Sequence, residues 1–80
     1  MARVLLFGRL SDIAGWRERR VDGAATLAAL RGVLAAADAR LGEALGCPGV
    51  SAAVDRALVR GDIALSADSE VAFMPPMSGG

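Results

Sequence analysis

Residues 70–80 read EVAFMPPMSGG, and this stretch decides the fold. EVAFM, 70–74, is a five-residue apolar run of strand length. Val71 and Phe73 point to one side of such a strand, Ala72 and Met74 to the other. Apolar residues on both sides suit a strand in the middle of a sheet. Pro75 and Pro76 lack a backbone N–H, so they end the pairing and hold the residue before each of them extended. Met77-Ser78-Gly79-Gly80 is then expected to project from the body until a partner orders it. Glycine has no Cβ, so a Gly-Gly end can thread a narrow channel and present an unhindered carboxylate. With 10 glycines in 80 residues, a Gly-Gly end alone is a weak signal.

A partner for that strand lies at the other end of the chain. Residues 3–7, RVLLF, form a second apolar run in which Val4 and Leu6 oppose Leu5 and Phe7. GRLSDIAG follows as a turn or a single short helical turn closed by Gly15. WRERRVD, 16–22, reads as an edge strand blunted by charge, with Trp16, Glu18 and Arg20 on one face. Thr26 then caps the clearest helix, in which Leu27, Leu30, Leu34, Ala37 and Leu41 recur at spacings of three and four. LGEAL, 41–45, is a candidate second helical piece before the Gly46-Cys47-Pro48-Gly49 exit. VSAAVDRALV, 50–59, reads as two short strands about a turn at Asp55-Arg56. Further turns fall at Gly61-Asp62 and at 67–69.

The order strand, strand, helix, short strands, final strand implies an α+β roll with the helix across one face of the sheet. One helix covers one face only. If the first and last strands are neighbours, Leu5, Phe7, Ala72 and Met74 form an uncovered apolar patch, the mark of a protein–protein interface. The competing reading is that continuous apolar runs simply mark central strands of a wrapped core.

Eighty residues imply one domain, 1–80, with 75–80 as a projecting tail. A chain this short buries only about 60% of its unfolded surface, which leaves little room for a ligand pocket. No apolar run approaches the roughly 18 residues of a membrane span. The start lacks the pattern of a signal peptide, so a cytoplasmic location is expected, with no membrane partner. Nine Arg balance nine acidic residues, and Lys, His and Tyr are absent. A neutral chain is poorly suited to tracking phosphates, which argues against nucleic acid. Acid–base or metal chemistry would rest on Asp, Glu and the single Cys47.

That thiol sits in a Cys-Pro-Gly turn without a basic neighbour and reads as inert and partly buried. Asp55, Asp62 and Asp68 each fall at a turn, where Asp bonds local backbone. Arg17, Arg19 and Arg20 read as solvated charges, and Trp16 as a rim or core packing residue. Nothing here resembles a self-sufficient active site.

RVLLFGRLSDIAG, the helix after TLAALR, AAVDRALV and EVAFMPPMSGG together resemble the ubiquitin-like sulfur carriers, most closely the small subunit of molybdopterin synthase. The resemblance spans essentially the whole chain, and its last segment is the most specific. It implies a ubiquitin-like β-grasp fold: a mixed sheet with one main helix packed across one face. It also implies that Gly80 is adenylated by an ATP-consuming E1-like enzyme and converted to a thiocarboxylate, with sulfur from a donor protein. Gly79 would be the slim residue that admits Gly80 to active sites. The tail would enter the large subunit, in a heterotetramer, and supply sulfur for the dithiolene of molybdopterin, made from cyclic pyranopterin monophosphate. Phe7, Leu58 and Met74 fall at partner-contact positions, followed by Pro75, Pro76, Met77 and Ser78. Met74 replaces the aromatic residue common there, although methionine adapts well to more than one partner. No cofactor is expected to stay bound, and the carrier alone should be non-catalytic.

Two alternatives remain at this point. One is a sulfur carrier for thiamine, cysteine or tRNA thiolation; the double proline and the length favour the molybdenum pathway. The other is a β-grasp binding module, or a modifier joined to target lysines.

Overall fold

The computed structural model describes residues 2–76. Its elements are β1 (Ala2–Leu6), α1 (Arg9–Ala14), β2 (Glu18–Val21), α2 (Leu27–Ala37), α3 (Ala39–Leu45), β3 (Ser51–Val54), β4 (Ala57–Val59) and β5 (Glu70–Met74). The five strands form one sheet in the order β2-β1-β5-β3-β4. β1 and β5 are parallel central neighbours, and the other pairs are antiparallel. This is the expected β-grasp arrangement, and β2 is indeed an edge strand.

The alternation read from the sequence sets the layers. Val4, Leu6, Val71 and Phe73 point inward and are buried, together with Ala52 and Val54 from β3. Leu27, Leu30 and Leu34 of α2 and Leu41 and Leu45 of α3 close over them. α2 begins where expected: Thr26 Oγ1 accepts the Ala29 N–H at 3.1 Å. Asp62 adds a second cap from the far loop, accepting the Ala28 N–H at 2.8 Å.

The helix differs from the expectation in one respect. The periodic row from Leu27 to Leu41 predicts one helix, yet the backbone breaks at Asp38, which has φ −150° and ψ 102°. Asp38 Oδ1 accepts the N–H groups of Arg40 and Leu41, at 3.0 and 3.2 Å. A side chain that caps a new helix competes with continuing the old one. α3 then folds back so closely that a methyl group at Gly42 would lie 2.5 Å from Ala35 Cβ.

The Asp55-Arg56 hairpin forms as expected, with both residues at positive φ, 51° and 72°, as a tight two-residue turn requires. Asp55 does more than turn the chain. Its carboxylate accepts the Glu70 N–H at 2.9 Å, and its own N–H donates to the Glu70 carbonyl at 2.8 Å. The hairpin is thereby hooked to the start of β5. Trp16 precedes β2 and escapes its alternation: it packs against the core with the Arg19 guanidinium 4.6 Å above its ring. It therefore does not share a face with Glu18 and Arg20, which point outward with their register partners Leu5 and Arg3.

Candidate functional site: an apolar sheet face and a seated tail root

The outer face of the sheet divides into two halves. In the first, register partners Leu5, Ala72, Ala53 and Leu58 run across β1, β5, β3 and β4. Phe7 follows β1 beside Met74, and its N–H donates to the Phe73 carbonyl at 3.2 Å. Leu58 is 74% exposed and Phe7 48%, while Leu5, Ala72 and Met74 are half-buried. Ala53 is buried yet stands apart from the core cluster, because it lies under its outer neighbours. The uncovered-patch reading therefore holds over the wrapped-core reading, and it gathers Phe7, Leu58 and Met74 on one surface. Ala53, from the middle of β3, was not anticipated; only the strand register reveals it.

The second half is charged. Arg3 lies between Arg20 and Glu70 in the register. Its guanidinium donates to the Glu70 carboxylate and stands 3.7 Å from Glu18. The hydrogen bond to Glu70, and then the charges of Glu70 and Glu18, push the Arg3 pKa above its ordinary value. An open depression of about 530 Å³ lies there, lined by Arg3, Arg20, Ala67, Asp68, Ser69 and Glu70. It is polar and sits at the opposite end of β5 from the prolines. Self-compensating pairs of this kind give a polar border to the apolar half.

At the other end of β5 the chain leaves the sheet through Pro75 and Pro76. These two residues rest on the body. A methyl group at Gly8 would lie 3.0 Å from Pro75 Cγ, and one at Gly49 would lie 2.7 Å from Pro76 Cβ. Behind them is a small cavity of about 80 Å³ lined by Arg9, Leu10, Ala44, Cys47, Val50, Pro75 and Pro76. Gly8 and Gly49 carry no signal as site residues in the sequence, since loop glycines are common and the prolines they meet are far away in the chain. Met77, Ser78, Gly79 and Gly80, expected to carry the chemistry, lie outside the described residues.

Cys47 differs from the expectation. It is exposed rather than partly buried, because it follows the end of α3 on a turn that carries it outward. Its Sγ lies 3.5 Å from the Glu43 carbonyl. Asp62 accepts the neighbouring Ile63 N–H at 2.9 Å, the local bond expected at its turn, but it also reaches Ala28. The Asp55 carboxylate bonds the distant Glu70 N–H rather than local backbone. Among the described residues, no three His, Cys, Asp or Glu side chains converge as a metal site would require. Nor is any described helix long and apolar enough to cross a membrane.

The ThiS family's sequence model matches residues 4–80. The chain belongs to the ThiS family. These are ubiquitin-like sulfur carriers, which agrees with the fold and the apolar outer face. No curated protein sequence matches the chain. Among solved structures, SAMP1 from Haloferax volcanii matches at 26% identity and a TM-score of 0.84, covering 99% of this chain and 98% of that one. A structure of the H. volcanii small archaeal modifier protein 1 matches at 25% identity and a TM-score of 0.78, covering 95% and 97%. This ThiS-family chain thus has the ubiquitin-like fold over nearly its full length.

Proposed function

We propose that this ThiS-family protein carries sulfur as a thiocarboxylate on Gly80 and delivers it within a molybdopterin synthase. The observation that carries the carrier chemistry is the family match, which runs through the Gly79-Gly80 end, while the double proline and the length favour the molybdenum pathway. The uncovered face built from Leu5, Phe7, Ala53, Leu58, Ala72 and Met74 supports it. An E1-like enzyme docked on that face would take the carboxylate beyond Pro76 into its nucleotide site. ATP adenylates Gly80 with release of pyrophosphate; sulfide-level sulfur from a donor protein then attacks the carbonyl, AMP leaves, and the thiocarboxylate remains. Gly79 offers no side chain to obstruct either step. The same face then meets the synthase large subunit, in which the thiocarboxylate supplies dithiolene sulfur. Phe7 and Leu58 are the anchors of this reading, because they are the large apolar side chains of that face with the most surface left to bury.

A second reading is favoured by the names of the solved neighbours, which are modifier proteins. In it, the activated Gly80 is attacked by a lysine amine of a target rather than by sulfur. This chain has no lysine, so a modifier of this kind would not build lysine-linked chains on itself.

One experiment separates the two. The chain is incubated with ATP, a sulfur donor and a homologous E1-like enzyme, and its intact mass is measured. Conversion to thiocarboxylate adds about 16 Da, as does methionine oxidation, so a thiol-reactive tag distinguishes them. The expected result is a tagged, ATP-dependent adduct on Gly80. Deleting Gly80 should abolish it while leaving the thermal midpoint unchanged. Full sulfur loading of the truncated chain would overturn the mechanism, and a Gly80–lysine conjugate without a thiocarboxylate would establish the modifier reading.

A further inference from the structure

This inference rests on the carrier reading above and concerns how the tail is aimed. Gly49, in the loop between α3 and β3, has φ +88°. A methyl group there would stand 2.7 Å from Pro76 Cβ, 3.4 Å from its Cγ and 3.6 Å from its Cα. The clash falls on the ring Cβ, which is bonded directly to the backbone and which no side-chain rotation can move away, while the Cα at 3.6 Å is in ordinary contact. Gly8, between β1 and α1, has φ +57°, and its methyl group would stand 3.0 Å from the Pro75 Cγ and 3.7 Å from its Cδ, where a change of ring pucker gives relief. Gly23 provides the contrast: its φ is +84°, yet nothing lies within 4 Å of its missing Cβ. The bare backbone at Gly23 serves a turn alone, whereas at Gly49 it also makes room for the proline.

We propose that Gly49, with Gly8 in a lesser part, is a positioning residue that fixes the direction in which the chain leaves Pro76. Four residues separate Pro76 from the reacting carbonyl, about 13 Å of extended chain. Once a docked partner has ordered the tail, a shift at the root displaces Gly80 relative to the partner's site, and a misplacement of about 1 Å at a reacting centre can cost a hundredfold in rate. Gly49 lies outside the apolar face, so its substitution should appear in turnover and not in affinity.

The test is ATP–pyrophosphate exchange by a homologous E1-like enzyme across a range of carrier concentrations, with each variant's melting midpoint recorded. Gly49→Ala and Gly23→Ala impose the same left-handed backbone on alanine and should both lower the midpoint. Gly49→Ala should reduce kcat about tenfold with KM within about twofold, and Gly23→Ala should change neither. In a Pro76→Gly background the ring atoms nearest the added methyl group are gone, so Gly49→Ala should then cost nothing further in kcat. Wild-type kcat in Gly49→Ala, or an equal loss in Gly23→Ala, would overturn the inference. Solution NMR of the full chain supplies an activity-independent arm: proton–proton contacts between Gly49 and Pro76 are expected, and their absence sinks the seat. A wild-type chain that is not adenylated, with those contacts present, would instead overturn the carrier reading and, with it, the aiming role, leaving the seat as a fact of the fold.

Discussion

Phe73 and Phe7 lie at the same end of adjacent parallel strands, one residue apart in register, yet their surroundings are opposite. Phe73 points inward, is fully buried, and has the Arg31 guanidinium 5.6 Å above its ring. Phe7 points outward and keeps about half its surface in water, at 48% exposure. The same contrast runs through Val71 and Ala72, and through Leu6 and Leu5. Apolar character is thus used twice in one sheet, for cohesion on the face beneath α2 and α3 and for recognition on the face they leave open.

The contrast is broken most severely from the inside. Phe73→Ala should destabilise the fold by about 3–5 kcal/mol, the transfer loss plus the cavity it leaves. For a protein of this size that approaches the whole stability, so denaturant unfolding should show the variant largely unfolded without added denaturant. A cooperative transition near the wild-type midpoint would mean that the helices collapse onto the gap and that the inner face is more plastic than its burial implies.

From the outside, Phe7→Asp should leave the melting transition within about 1 kcal/mol of wild type, as substitutions at exposed sites do. Binding to an E1-like enzyme should nonetheless weaken about thirtyfold, the roughly 2 kcal/mol of a hot-spot aromatic. Calorimetry on both proteins reads the two quantities independently. Unchanged affinity would remove Phe7 from the docking surface, and a large loss of stability would move it to the cohesive side of the comparison.

The distinction between the two faces was only half legible in the sequence. Alternation in RVLLF and EVAFM assigns residues to opposite sides of each strand, and it did so correctly. It does not say which side the helix covers, or whether β1 and β5 touch; that depends on pairing between segments about 67 residues apart. Ala53 shows the limit well, because a small apolar residue in SAAV reads as core until the register places it between Ala72 and Leu58. The tail root was less legible still. EVAFMPPMSGG announces an end to the sheet, but nothing near Gly8 or Gly49 announces that two prolines will rest there. The Asp55-Arg56 turn was legible as a turn, while the hook of Asp55 onto Glu70 was not, since it joins residues 15 apart.

The smallest expected effect lies in the helical layer, where the break at Asp38 tests how the inner face is kept closed. The leucine row alone would be satisfied by one continuous helix, and two features oppose it. The Asp38 carboxylate caps α3, and the close approach of Gly42 to Ala35 holds α3 against α2. Asp38→Ala removes the first and leaves the second. It should cost about 1 kcal/mol, the usual value of an N-cap, and lower the melting midpoint by about 4–8 °C for a domain of this length. Because the change is confined to the covered side, binding through Phe7 and Leu58 should be unaffected. An unchanged midpoint would assign the break to the Ala35–Gly42 approach instead, and Gly42→Ala would then become the substitution that straightens the helix and uncovers the inner face.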